Sequence, residues 1–234
     1  MSHAYVCLHC DRGPYTVSAL GWSTLLHGVY PAKHGITSND ISNLNYGRYH
    51  DLFYYMRQNN PEYSLATISN WDNFLQLTSN EDYAQAVSTD MDVKNKTIDL
   101  LLTTVPDITL LHFNDVDHYG HKSGFSPNNP EYINAIKQTG IYTDEIMQLI
   151  KMREKNFGEE WMVIVVTDHG GEGTSHGNQD NIEATRFVFS IVRLPNINRI
   201  DIPNSSNVDI MPAILKYMNI PIDPNWNLDG TPIF

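Results

Sequence analysis

Apolar and polar positions follow two regimes along this chain. Short β-branched or apolar runs at residues 64–69, 107–113, 161–167 and 187–192 are separated by longer stretches whose apolar residues recur at helical spacing. The runs at 107–113 and 161–167 are nearly unbroken (Ile-Thr-Leu-Leu-His-Phe and Met-Val-Ile-Val-Val). That is the pattern of strands buried on both faces, as in a parallel sheet covered by helices. Residues 4–8 read as a further strand. Helices are predicted over 19–27, 48–58, 92–104, 130–152 and 209–218. In the fourth, Ile133, Ile136, Thr143, Met147 and Ile150 fall near one face, and the last opens on Asp209 as N-cap with Pro212 in its first turn. No repeat, low-complexity tract or linker interrupts the pattern. The expectation is one α/β domain over residues 1–234, with a central, mostly parallel sheet sandwiched by helices.

Composition sharpens this chiefly by exclusion. With 41% apolar residues the chain is ordinary globular material, and 15 basic against 27 acidic residues give a net charge of −12. So acidic a chain carries no electrostatic footprint for a nucleic-acid polymer, although bound cations would let it handle small anions. No apolar run approaches the roughly 18 residues of a membrane span. Met1-Ser2-His3 opens no secretory signal, which leaves the cytoplasm as the default compartment. Cys7 and Cys10 form a single C-x-x-C and read as core thiols, and the sequons at Asn95 and Asn204 are what chance gives.

The chemistry concentrates where ligands gather in α/β sheets, beyond the C-terminal ends of strands. After the run at 107–113 comes Asp117-His118-Tyr119-Gly120-His121. After the run at 161–167 comes Asp168-His169-Gly170-Gly171, followed by His176-Gly177. Carboxylate and imidazole together suit zinc or manganese better than magnesium or calcium. A lone Asp-His pair after a strand is usually a turn and cap, and His3, His50 and His112 read as surface or core residues. Two strand ends that both finish in Asp, His and Gly argue for a site. A third element is Ser18, at the start of a predicted helix where backbone N–H groups favour anions; alone it would read as a simple N-cap.

Together these pieces resemble the alkaline phosphatase superfamily, in its type I phosphodiesterase/nucleotide pyrophosphatase branch. The resemblance rests on Ser18, Gly21-Trp22-Ser23, Leu25-Leu26 and the run from Gly28-Val29-Tyr30-Pro31 through Lys33-His34-Gly35-Ile36. It also rests on Asp117-x-x-Gly120-His121, on Asp168-His169-Gly170 with His176-Gly177, and on the C-terminal segment from Ile222-Asp223-Pro224 to Asp229-Gly230. It implies an alkaline phosphatase-like core and a small phosphate-ester substrate. It implies two divalent metal ions, zinc first and manganese second. Ser18 is the implied nucleophile and a metal ligand. Asp117, His121 and His176 are assigned to one metal, Asp168 and His169 to the other, and Asn39 to a non-bridging phosphate oxygen.

The chain also departs from that family. Relatives supply one more aspartate ligand, at the end of a first strand that is not recognisable here, since only 17 residues precede Ser18. Either the chain is an N-terminal truncation, the favoured account, or residues 4–10 fill that strand's place with Asp11 as substitute ligand. Loss of a central strand would leave unpaired backbone or rearrange the sheet. Ala19-Leu20 and His27 stand where relatives often have Gly-Pro and Thr. The Cys/Ser-x-Pro-x-Arg context of sulfatases is absent at Ser18. The reading from another class is a remnant of the same fold, impaired in catalysis or serving as a binding module, with one metal.

Overall fold

A computed structural model describes residues 4–7, 16–42, 47–177, 182–195 and 205–234. His3, Cys10, Asp11 and Asn204 lie outside these residues. In chain order the elements are β1 (Ala4–Cys7), α1 (Ser18–His27), α2 (Pro31–His34), α3 (Leu52–Asn59), β2 (Leu65–Ser69), β3 (Tyr83–Ala86) and α4 (Asp90–Thr103). There follow β4 (Ile108–His112), α5 (Asp115–Ser123), α6 (Pro130–Phe157), β5 (Val163–Val166), α7 (Ile182–Arg186), β6 (Phe187–Arg193) and α8 (Ile210–Tyr217). Short 3-10 turns lie at Asp72–Gln76, Asn207–Asp209 and Pro224–Trp226.

The strands form two three-stranded sheets. In one, β2 is paired in parallel with β3 and β4, with Ala66 opposite Tyr83 and Leu65 opposite Ile108. In the other, β6 is paired antiparallel with β1 and β5, with Tyr5 opposite Phe189 and Ile164 opposite Val192. The α/β class and the helix-flanked parallel sheet are those expected.

The expectation of full burial for the two apolar runs is not met. β2 is buried at all five positions, whereas β5 is half-buried throughout and β4 everywhere except His112. The reason is that β4 and β5 each end a sheet. Ile108 and Leu110 of β4 and Ile164 and Val166 of β5 pack on one core that includes Leu26, Phe53, Leu65 and Met211. On the opposite side Leu111 and Val163 pack on Leu101, Ile146 and Ile150. The two strands therefore share both hydrophobic clusters, yet no ladder joins them.

Local sequence explains most of the boundaries. Asp51 starts α3 by accepting from the N–H groups of Phe53 and Tyr54, so the helix opens four residues later than predicted. Thr89 caps α4 by accepting from Asp92 N–H. α6 runs five residues past its predicted end, and its buried row is Ala135, Ile146, Ile150 and Arg153. Ile136 lies one position off that row and is exposed, contrary to expectation. Asp209 does not cap α8 with its side chain; it closes a capping box with Ser206 on the preceding 3-10 turn.

The C-terminal segment staples the turn after α1. Asp229 accepts from Tyr30 N–H at 2.9 Å and pairs with Lys33 at 2.6 Å, while Trp226 stacks on Tyr55. Part of the resemblance-bearing sequence thus serves to hold α1 and α2 in place.

Candidate metal and phosphoryl site

α1 begins after an extended Val17, the N-cap residue, whose own side chain makes no capping hydrogen bond. The Ser18 hydroxyl is therefore not spent as an N-cap. It lies 3.2 Å from His169 Nε2. His169 Nδ1 is 2.9 Å from Gly170 O, and a carbonyl only accepts, so Nδ1 carries the ring hydrogen and Nε2 the lone pair. Ser18 Oγ–H is thus the donor to His169. Ala19 N–H donates to Asn39 Oδ1 at 3.0 Å, which fixes the amide's orientation and leaves its Nδ2 side as the donor. Gly21 lets α1 approach the β5 end closely, since a Cβ there would sit 2.7 Å from Asp168 O.

The end of β4 feeds directly into α5. Asp117 and His121 stand at i and i+4 on that helix, with Asp117 Oδ2 3.5 Å from His121 Nε2. Sequence reasoning missed this helix because its composition is polar and Gly120 sits inside it. His121 Nδ1 donates to Thr174 O at 2.9 Å, so its lone pair too is on Nε2. The end of β5 is a non-helical turn carrying Asp168 and His169, with Asp168 Oδ2 3.3 Å from His169 Nε2. His176 arrives from the following loop. Its Nδ1 donates to Thr16 O, and Thr16 Oγ1 donates back to His176 O, a reciprocal clamp between the segment before α1 and this loop. The rings of His169 and His176 stack with centroids 3.6 Å apart, and His176 Nε2 lies 3.6 Å from Asp117 Oδ1.

All five sequence-derived ligands are therefore contiguous. Ligand atoms of Asp117, His169 and His176 lie within 4.8 Å of one another, a trio that crosses the division into two metal sets. The donor chemistry fits a divalent cation. Three imidazoles present Nε2 lone pairs with their Nδ1–H groups engaged by carbonyls, the arrangement that orients histidine ligands. Asp117 Oδ1 and Asp168 Oδ2 are buried acceptors without a hydrogen-bond partner. The nitrogen–oxygen contacts of 3.3–3.6 Å set lone pair against lone pair. They are close to the edge of about 3.4 Å that two ligands span around a tetrahedral zinc.

Burial sets the charge states. It lowers His169 and His176 below the ordinary imidazole value, favouring the neutral form that binds metal. Asp168 is pushed up to about 7, first by burial and then by facing Asp117.

Several participants carried little sequence signal. Phe125 packs against Gly120 and Gly171, where any Cβ would collide with its ring, and stands edge-on to His121 and His176. Only the two glycines hinted at it. Thr16 gave no hint at all. His112 is a core residue as expected, enclosed by Trp22, Trp71 and Phe74 and held down to about 4 by burial. His50 stacks on Tyr54, away from this cluster.

A family model described as type I phosphodiesterase / nucleotide pyrophosphatase matches residues 42–190. The chain belongs to this family. Its fold is that of the alkaline phosphatase superfamily. A protein of that superfamily from Vibrio parahaemolyticus superposes with a TM-score of 0.64 at 15% identity, over 93% of this chain and 57% of the other. Murine ectonucleotide pyrophosphatase / phosphodiesterase 5 superposes with a TM-score of 0.62 at 13% identity, over 95% and 89%. In sequence, the catalytic subunit of GPI ethanolamine phosphate transferase 3 from Mus musculus is 28% identical over 120 residues. That match covers 50% of this chain and 10% of the transferase, so the chain spans about a tenth of that relative's length. No helix among the described residues is long and apolar enough to cross a membrane.

Proposed function

We propose that residues 1–234 act as a metal-dependent phosphoric ester hydrolase of phosphodiesterase or pyrophosphatase type, working through a phosphorylated Ser18. The observation that carries this reading is the Ser18 hydroxyl at the start of α1, 3.2 Å from His169 Nε2 at the edge of the Asp/His cluster. Two divalent ions, zinc or manganese, would be held by Asp117, His121 and His176 and by Asp168, His169 and Ser18; bound there they acidify the serine hydroxyl and offset phosphoryl charge.

The chain's own groups do the rest. Ser18 Oγ forms the new bond to phosphorus while the bond to the departing alcohol breaks, and water then cleaves the Ser18 ester. Asn39, anchored through Oδ1, offers Nδ2–H to a non-bridging oxygen whose charge grows in the transition state. The first N–H groups of α1 favour the same anion. The test is hydrolysis of bis(p-nitrophenyl) phosphate by the zinc-loaded chain. Ser18→Ala and Asp117→Ala should each cost about a thousandfold or more; survival of activity in both variants defeats the assignment.

One observation favours a second reading, a binding module holding a single ion: Asp117, His169 and His176 make the tight trio, with His121 and Asp168 outside it. Elemental mass spectrometry separates the two. About two ions per chain supports the hydrolase, and one supports the module.

A further inference from the structure

Asp90 is a fully buried carboxylate that the chemistry above leaves without a task. It opens α4, whose N-cap is the neighbouring Thr89, yet its side chain serves the start of a different helix. Oδ1 accepts from Asn114 N–H at 2.7 Å, and Oδ2 accepts from Asp115 N–H at 2.9 Å. Asn70, the residue after β2, donates from Nδ2 to Oδ1 at 3.0 Å. Asn70 N–H in turn donates at 3.2 Å to the carbonyl of His112, the last residue of β4. One carboxylate thus ties the ends of β2 and β4 to the first residues of α5.

α5 needs such an anchor. It has nine residues, fewer than the roughly 12 at which an isolated helix becomes stable in water. Its sequence is polar, Gly120 sits inside it, and the N-cap residue Asn114 makes no side-chain cap. Asp90 takes up N–H groups that a helix start leaves without intrahelical partners, and a carboxylate there suits the helix dipole. Asp117 is the third residue of α5, inside the turn that frays first, and His121 follows about one turn later. The approach of both side chains to the histidines opposite is therefore set through the backbone. The residue that sets it spends its own hydrogen bonds on Asn70, Asn114 and Asp115.

We propose that Asp90 is a positioning residue: its carboxylate locks the first turn of α5 so that Asp117 and His121 close on His169 and His176 in a geometry that takes a divalent ion. The proposal rests on the metal-dependent reading and adds to it a residue outside the ligand set.

The test is the visible absorption of the cobalt(II)-loaded chain, together with zinc affinity measured by competition against a chromophoric chelator. Asp90→Ala should alter the cobalt ligand-field bands and weaken zinc binding about fivefold, short of the loss of His121 itself. Asp90→Asn keeps one acceptor oxygen but sets an amide N–H against a backbone N–H, so it should recover part of that affinity and no more. Asp51 is the matched control. It is also buried, and it accepts from Phe53 N–H, Tyr54 N–H and Ser79 Oγ at the start of α3, a helix that carries none of the ligands. Asp51→Ala should lower the unfolding temperature by a similar amount and leave the cobalt bands unchanged.

Unchanged bands and affinity in folded Asp90→Ala overturn the proposal, as do equal changes in Asp51→Ala. If Asp90→Ala does not fold, Asp90→Asn decides, and wild-type bands and affinity there overturn it. Failure of the underlying reading looks different. A wild-type chain that binds neither cobalt nor zinc takes both proposals down, whereas bound metal without phosphodiester turnover removes the reaction and leaves the placement of the ligands standing.

Discussion

The two strand ends that converge on Ser18 are built in opposite ways. Beyond β4, Asp117 and His121 ride on a helix, with side chains 34% and 44% exposed. Beyond β5, Asp168 and His169 sit in a buried turn, and His176 is clamped to the segment before α1. Water reaches the exposed parts of the first pair when no cation is present, although Asp117 Oδ1 itself is buried. The second has no such recourse, and the difference is visible in Asp168, whose carboxyl is pushed up to about 7. The open end is a tolerant half-site, whereas the buried end holds a carboxylate and two imidazoles that want a cation between them.

The contrast is broken most severely at the ligands themselves. His169→Ala removes a buried donor that no water replaces and should weaken zinc binding on the order of a hundredfold, against about tenfold for the half-exposed His121→Ala. Competition with a chromophoric chelator measures both, and equal losses would dissolve the distinction.

Comparable in size is a pH effect on the ion-free chain. Unfolded, Asp168 loses its proton near 3.8; folded, it keeps it to about 7. The folded state therefore binds the extra proton between those values, so stability falls as pH rises from about 4 to about 7 and stays low above. Asp168→Asn removes that fall and should stabilise the ion-free chain at pH 8 by ~2–4 kcal/mol, while weakening zinc binding. Thermal unfolding in chelator at pH 5 and pH 8 should show the gap between variant and wild type widening with pH. Parallel curves would contradict the burial argument.

The smallest effect belongs to the clamp. Thr16→Val removes the hydroxyl that donates to His176 O and should cost about 1 kcal/mol in denaturant unfolding, with zinc affinity falling only modestly. A change larger than that of His121→Ala would mean the clamp, not the ligands, dominates the buried half.

The positions of β2, β4, β5 and β6 were legible because their apolar runs are short and bounded by turn residues. Their burial was not, because whether a strand ends a sheet depends on which partner it finds, which no local pattern records. β3 escaped notice for a related reason: Tyr-Ala-Gln-Ala has no β-branched residue, and its place is set by pairing with β2. At the site, Asp117, His121, Asp168, His169 and His176 could be read from composition after strands. Their mutual contacts, the Thr16 clamp and the Phe125 wedge are tertiary facts, joined across as many as 160 positions. The assignment of Ser18 and Asn39 came from resemblance. The Ser18–His169 contact and the Ala19–Asn39 bond now give that assignment a physical basis to test.

The most direct measurement is intact-protein and peptide mass spectrometry of the zinc-loaded chain, quenched in acid while it turns over bis(p-nitrophenyl) phosphate. The account predicts a p-nitrophenyl phosphoryl adduct on the peptide containing Ser18, absent from Ser18→Ala. Turnover with no adduct at Ser18, or with the adduct on another residue, would contradict it.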